Sequence, residues 1–229
     1  AMKNPAPTDR KLKVLVDGVF FQLNNTGIAR VWRSLLTAWV EDGFAGNILV
    51  LDRGETAPKI VGITYRKIPP YDYAKTESDR QMLQQVCEEE KADLFISTYY
   101  TTPLSAPSVF MAYDMVPEAF GQNLNHPEWR EKHEGIRRAV SYITISENTA
   151  RDLIKYFPNI SSSSVTVAPC GVDGKFYPAR DEEIANFKSK YGILKPYFLV
   201  VGERVGWQNY KNAILLFKAF YRLQNNREL

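Results

Sequence analysis

Residues 14–36 read VLVDGVFFQLNNTGIARVWRSLL, and this stretch decides the fold. It opens on Val14-Leu15-Val16, an apolar run too brief for a helix and rich in Val, as in a buried strand of a parallel sheet. The run stops at Asp17-Gly18, and a polar loop, Asn24-Asn25-Thr26-Gly27, precedes a helix. Ile28, Trp32, Leu35, Leu36, Trp39 and Val40 fall on one face of that helix and draw a single apolar stripe. Strand, Gly-bearing loop and helix make the first unit of an open α/β sheet. Ligands bind such sheets beyond the carboxyl ends of the strands, where backbone N–H groups at a helix start face the crevice. The dinucleotide fingerprint G-x-G-x-x-G is absent, and Gly27 by itself reads equally well as a turn residue.

Composition bounds what such a sheet serves. The 229 residues, 45% hydrophobic and 13% aromatic, suffice for one large domain or one and a half smaller ones. A net charge of +3 is too mild to argue for nucleic acid, while a peripheral contact with acidic lipid needs a clustering that sequence does not reveal. Cys87 and Cys170 stand far apart, outside any metal-ligand spacing, and read as reduced thiols of a cytosolic protein. With no signal peptide and no long apolar run, the expected location is cytoplasmic, with peripheral contact at the inner membrane face left open. Residues 1–10 read as a flexible start, led by a cloning remnant, Ala1-Met2.

Further along, strands are expected at Gly46 to Leu51, Thr64 to Ile68, Asp93 to Ser97, Ser108 to Tyr113, Ser141 to Ile145 and Val165 to Pro169. Helices are expected from about Thr76 to Lys91, burying Met82, Leu83, Val86 and Cys87, then over Pro127 to Ala139 and Glu147 to Phe157. Ser146 is placed to cap the last of these. The alternation implies parallel pairing with right-handed crossovers. Ser161 to Ser164 reads as a flexible loop. His126 and His133 read as solvent-facing or capping residues, since no acidic or Cys partner stands at metal spacing. A charged helix from Glu182 to Tyr191 leads to Pro196-Tyr197-Phe198-Leu199-Val200-Val201-Gly202, read as a buried strand opening a second sheet, followed by a helix bearing Ala213, Leu216, Phe217, Phe220 and Leu223 on one face.

Five segments in order resemble the retaining GT-B glycosyltransferases of family 4. They are Asp17 with Thr26-Gly27-Ile28-x-Arg30; Tyr113-Asp114-Met115-Val116-Pro117; Thr144-Ile145-Ser146-Glu147; Pro169-x-Gly171-Val172-Asp173 with Phe176 and Pro178; and Tyr197-Phe198-Leu199 with Gly202, Arg204 and Tyr210-Lys211-Asn212. Tyr113 stands where the family usually has His, and the loop between Arg204 and Lys211 is about three residues longer than in the family's pattern.

The resemblance implies a GT-B architecture: a Rossmann-like open parallel sheet with helices on both faces over 11–178, then a linker helix and the start of a truncated donor-binding domain over 179–229. It implies transfer of a sugar from a nucleotide diphosphate-sugar, with GDP-mannose as the family-level favourite, to a glycan or lipid-linked acceptor in polysaccharide or lipopolysaccharide assembly. No metal or other cofactor is implied. Tyr113 and Asp114 would serve the acceptor side as catalytic residues, and Thr26, Gly27, Ser146 and Gly171 would shape the sugar and acceptor pocket. Gly171 would either turn with positive φ or pass close to ligand. Arg204, Lys211 and Asn212 would hold the diphosphate, because fixed cations stabilise the charge that develops on the leaving group. The family's E-x7-E segment has no counterpart within these residues. The alternative is a non-catalytic acceptor-binding half that needs a separate donor-binding partner; a GT-B-like sugar-nucleotide epimerase fits the T-G-I-x-R and P-x-G-V-D pair less well.

Overall fold

The computed structural model describes residues 11–201 and 212–223. They fall into two compact units that divide between Gly171 and Val172, inside the P-C-G-V-D element.

The first unit is built on seven parallel strands in the order β3-β2-β1-β4-β5-β6-β7. In chain order, β1 (Val14–Asp17) leads through a short helix α1 (Val19–Leu23) into α2 (Gly27–Glu41), then β2 (Ile48–Arg53) and β3 (Thr64–Ile68). Next come α3 (Thr76–Glu89), β4 (Leu94–Ser97), β5 (Ser108–Ala112), α4 (Val116–Ala119), α5 (Pro127–Arg138), β6 (Ser141–Thr144), α6 (Glu147–Tyr156) and β7 (Val165–Val167). β1 pairs with both β2 and β4, so the winding direction reverses between β1 and β4. That switch point opens a crevice beyond the carboxyl ends of Asp17 and Ser97.

Every residue of β1 is buried, as a parallel strand covered on both faces must be. Alternation then sorts its side chains. Val14 and Val16 join Val50, Ile96 and Met111 under the α2 stripe, where Trp32 and Leu36 are buried and Ile28, Leu35, Trp39 and Val40 pack around them. Leu15 faces the opposite way, into Leu49, Leu51, Phe95 and the α3 residues Leu83, Val86 and Cys87. Farther along that face, Phe110, Ala112 and Tyr142 meet Trp129 and Ile136 of α5 and Leu153 of α6. Burying a side chain such as Leu36 stabilises the fold by about 1.5–3 kcal/mol. Gly62 (φ 93°) lets the chain turn beneath α2, and a Cβ there would sit 2.9 Å from Val40 Cγ1.

One element was not anticipated, and two expectations change. The residues directly after Gly18 form helix α1, because Thr98 Oγ1 accepts the Phe20 N–H (2.9 Å) and so satisfies a donor of the short helix. Ser162–Ser164 is a 3-10 turn, with the Ser161 hydroxyl accepting from the Ser163 N–H. The run expected as a buried strand, in its described part 196–201, joins no ladder: Phe198, Leu199 and Val201 are 67%, 75% and 84% exposed. A strand is stabilised by neighbours, and no described strand lies in the second unit.

In that unit, α7 (Asp181–Tyr191) starts with three acidic residues and ends with Lys188 and Lys190, matching the helix dipole. The Arg180 N–H donates to Glu183 Oε2 (2.8 Å), and Gly192 closes the helix in the left-handed conformation (φ 64°). α8 (Ala213–Leu223) follows Asn212.

Candidate functional site

The carboxyl edge of the first unit gathers the polar groups. Asp17, the last residue of β1, is fully buried, although a carboxylate is among the costliest groups to bury. Arg53, the last residue of β2 and equally buried, donates to it through Nε (2.9 Å) and Nη2 (2.7 Å). Thr101 Oγ1 adds a third donor at 2.6 Å. The other edge of the Arg53 guanidinium grips Asp79 of α3, through Nη1 and through Nη2 at 3.0 Å, and the guanidinium carbon lies 5.4 Å from the Tyr71 ring centre. Burial pulls the Arg53 pKa down, but the Asp17 and Asp79 carboxylates outweigh it and hold the guanidinium charged. Burial raises the Asp79 pKa above its usual value, against the pull of Arg53. Gly18 follows directly. Its N–H donates to Leu51 O at 3.0 Å, and an added Cβ would meet that same oxygen at 2.9 Å, so only glycine lets the chain leave β1 this close to β2.

Thr98, fully buried just past β4, holds the turn from the other side: its N–H and Oγ1 both donate to Asp17 O, at 2.9 and 2.7 Å. Gln22 of α1 clasps the Tyr71 backbone, accepting its N–H (2.7 Å) and donating to its carbonyl (2.9 Å). Aromatic rings fill the space between. Phe20 lies 5.1 Å from Tyr99, and Tyr99 stacks on Tyr100 at 3.7 Å. The Tyr99 hydroxyl donates to Glu128 of α5 (2.5 Å), and burial together with that carboxylate pushes its pKa up.

The sequence-derived site residues fall as follows. Tyr113 is 7% exposed; its hydroxyl accepts from Trp32 Nε1 and donates to the Thr98 carbonyl (3.1 Å). Burial raises its pKa well beyond the phenol range, with the Trp32 hydrogen bond opposing. Asp114 is exposed, and its Oδ1 accepts the Val116 N–H (2.9 Å) that opens α4. Thr26 and Gly27 begin α2 at the exposed rim; a Cβ on Gly27 would meet nothing within 4 Å. Ser146 caps α6 as its position implies, accepting the Thr149 N–H at 3.1 Å. Gly171 is exposed, open around its Cβ position, and not among the positive-φ glycines, so of the two uses expected of it the left-handed turn is not formed. Asn212 has positive φ (45°) and accepts the Leu215 N–H on Oδ1 (3.3 Å) at the start of α8. Arg204 and Lys211 lie outside the described residues.

One cluster escaped the sequence reading. Lys132 of α5, fully buried, donates to the Asp114 carbonyl (3.0 Å) and to Glu118 Oε2 (2.8 Å), while His133 Nε2 meets Glu118 Oε1 at 2.8 Å. His133 is therefore held by a carboxylate and packs edge-on against Phe157 (5.1 Å) instead of facing solvent. Burial pushes the Glu118 pKa up, but His133 and Lys132 outweigh it and the net shift is down. Beside this cluster, Glu131 of α5 forms a buried pair with Arg80 of α3 (2.5 Å). The one local signal was Lys132 itself, a lysine flanked by Glu131 and His133 and by apolar positions of α5. Among the described residues, no group of three or more His, Cys, Asp or Glu side chains is arranged to hold a metal ion, and no helix is long and apolar enough to cross a membrane.

Trp32 and Tyr113 thus join the helix of the T-G-I-x-R segment to the strand end of the Y-D-M-V-P segment, 81 residues apart. An open parallel sheet with such a switch-point edge defines a Rossmann-like α/β unit. The sequence profile of Glycosyltransferase Family 4 matches residues 25–176, and the chain belongs to that family. Among solved structures it is similar to Anabaena HepE in complex with UDP-glucose, at 13% identity and a TM-score of 0.59, covering 92% of this chain and 57% of that one. HepE in complex with UDP and glucose aligns at 14% identity and a TM-score of 0.59, covering 92% and 58%. These likenesses concern the fold, which is that of the GT-B glycosyltransferases, and the chain spans little more than half the length of HepE. No curated protein matches the chain.

Proposed function

We propose that residues 11–171 form the acceptor-side unit of a retaining, metal-independent glycosyltransferase that uses a nucleotide diphosphate-sugar. The observation that supports this reading is the Trp32–Tyr113 hydrogen bond, which ties the helix begun by the T-G-I-x-R segment to the residue that opens the Y-D-M-V-P segment, within the stretch that matches the family. In the reaction, an acceptor hydroxyl oxygen bonds to the anomeric carbon as the bond from that carbon to the donor phosphate breaks. The hydroxyl proton passes to a leaving phosphate oxygen on the same face, and the products are the glycoside and the nucleoside diphosphate. The transition state is oxocarbenium-like, so position and fixed charge supply the catalysis.

Within this reading Asp114, exposed at the edge, faces the acceptor as the catalytic residue, and Tyr113 positions it from within the core. Thr26, Gly27 and Ser146 border the sugar, Gly171 lies at the exit from the unit, and Arg204, Lys211 and Asn212 take the diphosphate. HepE binds UDP-glucose, which makes a UDP-sugar the first donor to test and GDP-mannose the second. The acceptor is a glycan or a lipid-linked sugar, reached by peripheral contact at the inner membrane face. The test is nucleotide release by the complete enzyme from UDP-glucose and from GDP-mannose. Release that falls on Asp114→Asn or Arg204→Ala supports the reading; turnover untouched by both substitutions sinks it.

A further inference from the structure

We propose that Lys132 is a positioning residue for Asp114, acting through the main chain. The segment carrying Asp114 leaves the sheet after β5, and its apolar anchors, Met115 and Pro117, are buried. Three polar points hold it as well: the Tyr113 hydroxyl in the core, the Asp114 carbonyl on Lys132 Nζ (3.0 Å), and the Glu118 carboxylate between Lys132 Nζ (2.8 Å) and His133 Nε2 (2.8 Å). The Lys132 side chain is wholly buried and that of Glu118 is 3% exposed, so neither point is loosened by solvent. A buried lysine is costly unless its donors are used, and this ammonium uses them on the segment that carries the exposed Asp114. The ammonium ion thus fixes the peptide plane next to the Asp114 side chain, and with it the direction of the carboxylate. Because α5 also grips Tyr99 through Glu128 and Arg80 through Glu131, the lysine is braced from the opposite side.

The inference rests on the proposed acceptor role of Asp114, and its test separates the two. Lys132→Met alone strands a buried Glu118 and confounds positioning with misfolding, so the informative variant is the double substitution Lys132→Met with Glu118→Gln. It replaces a buried ion pair by neutral groups, a change that proteins tolerate well, and the amide oxygen introduced by Glu118→Gln still accepts from His133. What the segment loses is the donor to the Asp114 carbonyl. Hydrogen exchange on the 229-residue chain should then show the amides between 115 and 120 losing protection while those of β1 and β4 keep theirs. In the complete enzyme, nucleotide release from UDP-glucose should fall roughly 100-fold in kcat with donor KM unchanged, the scale of a misplaced catalytic group. A double variant with wild-type exchange and wild-type kcat overturns the positioning role. Loss of protection without loss of turnover shows that the latch exists but does not serve Asp114, which also overturns it. If the wild-type enzyme releases no nucleotide from any donor, the glycosyltransferase reading fails while the exchange result still reports on the latch.

Discussion

Two buried charge networks stand at the same edge of the sheet and end differently. The Asp17–Arg53–Asp79 network closes on itself: the Arg53 and Asp17 side chains are wholly buried, and every strong donor meets a partner inside the unit. The Lys132–Glu118–His133 network is as deeply buried at its centre, yet its last link is the main chain of Asp114, whose side chain is exposed. A closed network makes the switch point rigid; an open one transmits rigidity to a residue that solvent and ligand can reach. Thr98 and Tyr113 connect the two, since Thr98 donates to Asp17 O and accepts from Tyr113 through its carbonyl. The same physics, ion pairs shielded from water, thus supports a frame at one end and a working edge at the other.

The largest expected effect breaks the closed network. Arg53→Met leaves Asp17 buried without its cation and should cost about 3–5 kcal/mol in urea unfolding; a loss below about 1 kcal/mol would show that the pair behaves as an exposed one. Next comes the connection between the networks. Tyr113→Phe orphans Trp32 Nε1 and the Thr98 carbonyl and should cost about 1–3 kcal/mol.

Acid titration then sharpens the contrast by sign. The folded pKa of Glu118 lies below its ordinary 4.5, so its contribution is present above that value and is lost as pH falls through the folded pKa. Asp79 is shifted the other way, above 3.8, so its contribution grows as pH falls through the folded pKa toward and below 3.8. Stability followed from neutral to acid pH should therefore flatten in the Lys132→Met/Glu118→Gln variant and steepen in Asp79→Asn; identical slopes would contradict the assignment. The smallest effect belongs to Gly27, which neither network touches. Gly27→Ala should leave the melting temperature within a degree or so, because its Cβ meets nothing, while nucleotide release by the complete enzyme falls if the loop borders the sugar.

What the sequence made legible follows from what a local pattern encodes. Val14 to Asp17 and the stripe from Ile28 to Val40 announce strand and helix through spacing alone, and the structure places their side chains on the expected faces. Ser146 needed only its neighbour three positions on. Asp17 needed Arg53, 36 residues away, and Thr101, 84 away, so nothing local marked it as more than the end of a strand. Lys132 is subtler still, because its partners are a carboxylate and a main-chain carbonyl on a segment with no regular period. The run 196–201 erred in the opposite direction: its apolar composition promised burial, but burial needs a neighbouring strand, and composition carries no information about one. Tyr113 shows both sides. The motif located the residue, and only the packing of Trp32 and Thr98 around it revealed where its hydroxyl is engaged.

The α3 stripe that seats Cys87 beneath β1 has a chemical consequence. Burial raises that thiol's pKa to about 12, so hardly any thiolate exists at neutral pH and alkylating reagents cannot reach it, whereas Cys170 is exposed. Mixed with a maleimide, the folded chain should take one label at once at Cys170. The second should attach only as fast as the sheet opens, making Cys87 a built-in clock for unfolding that needs no engineered reporter.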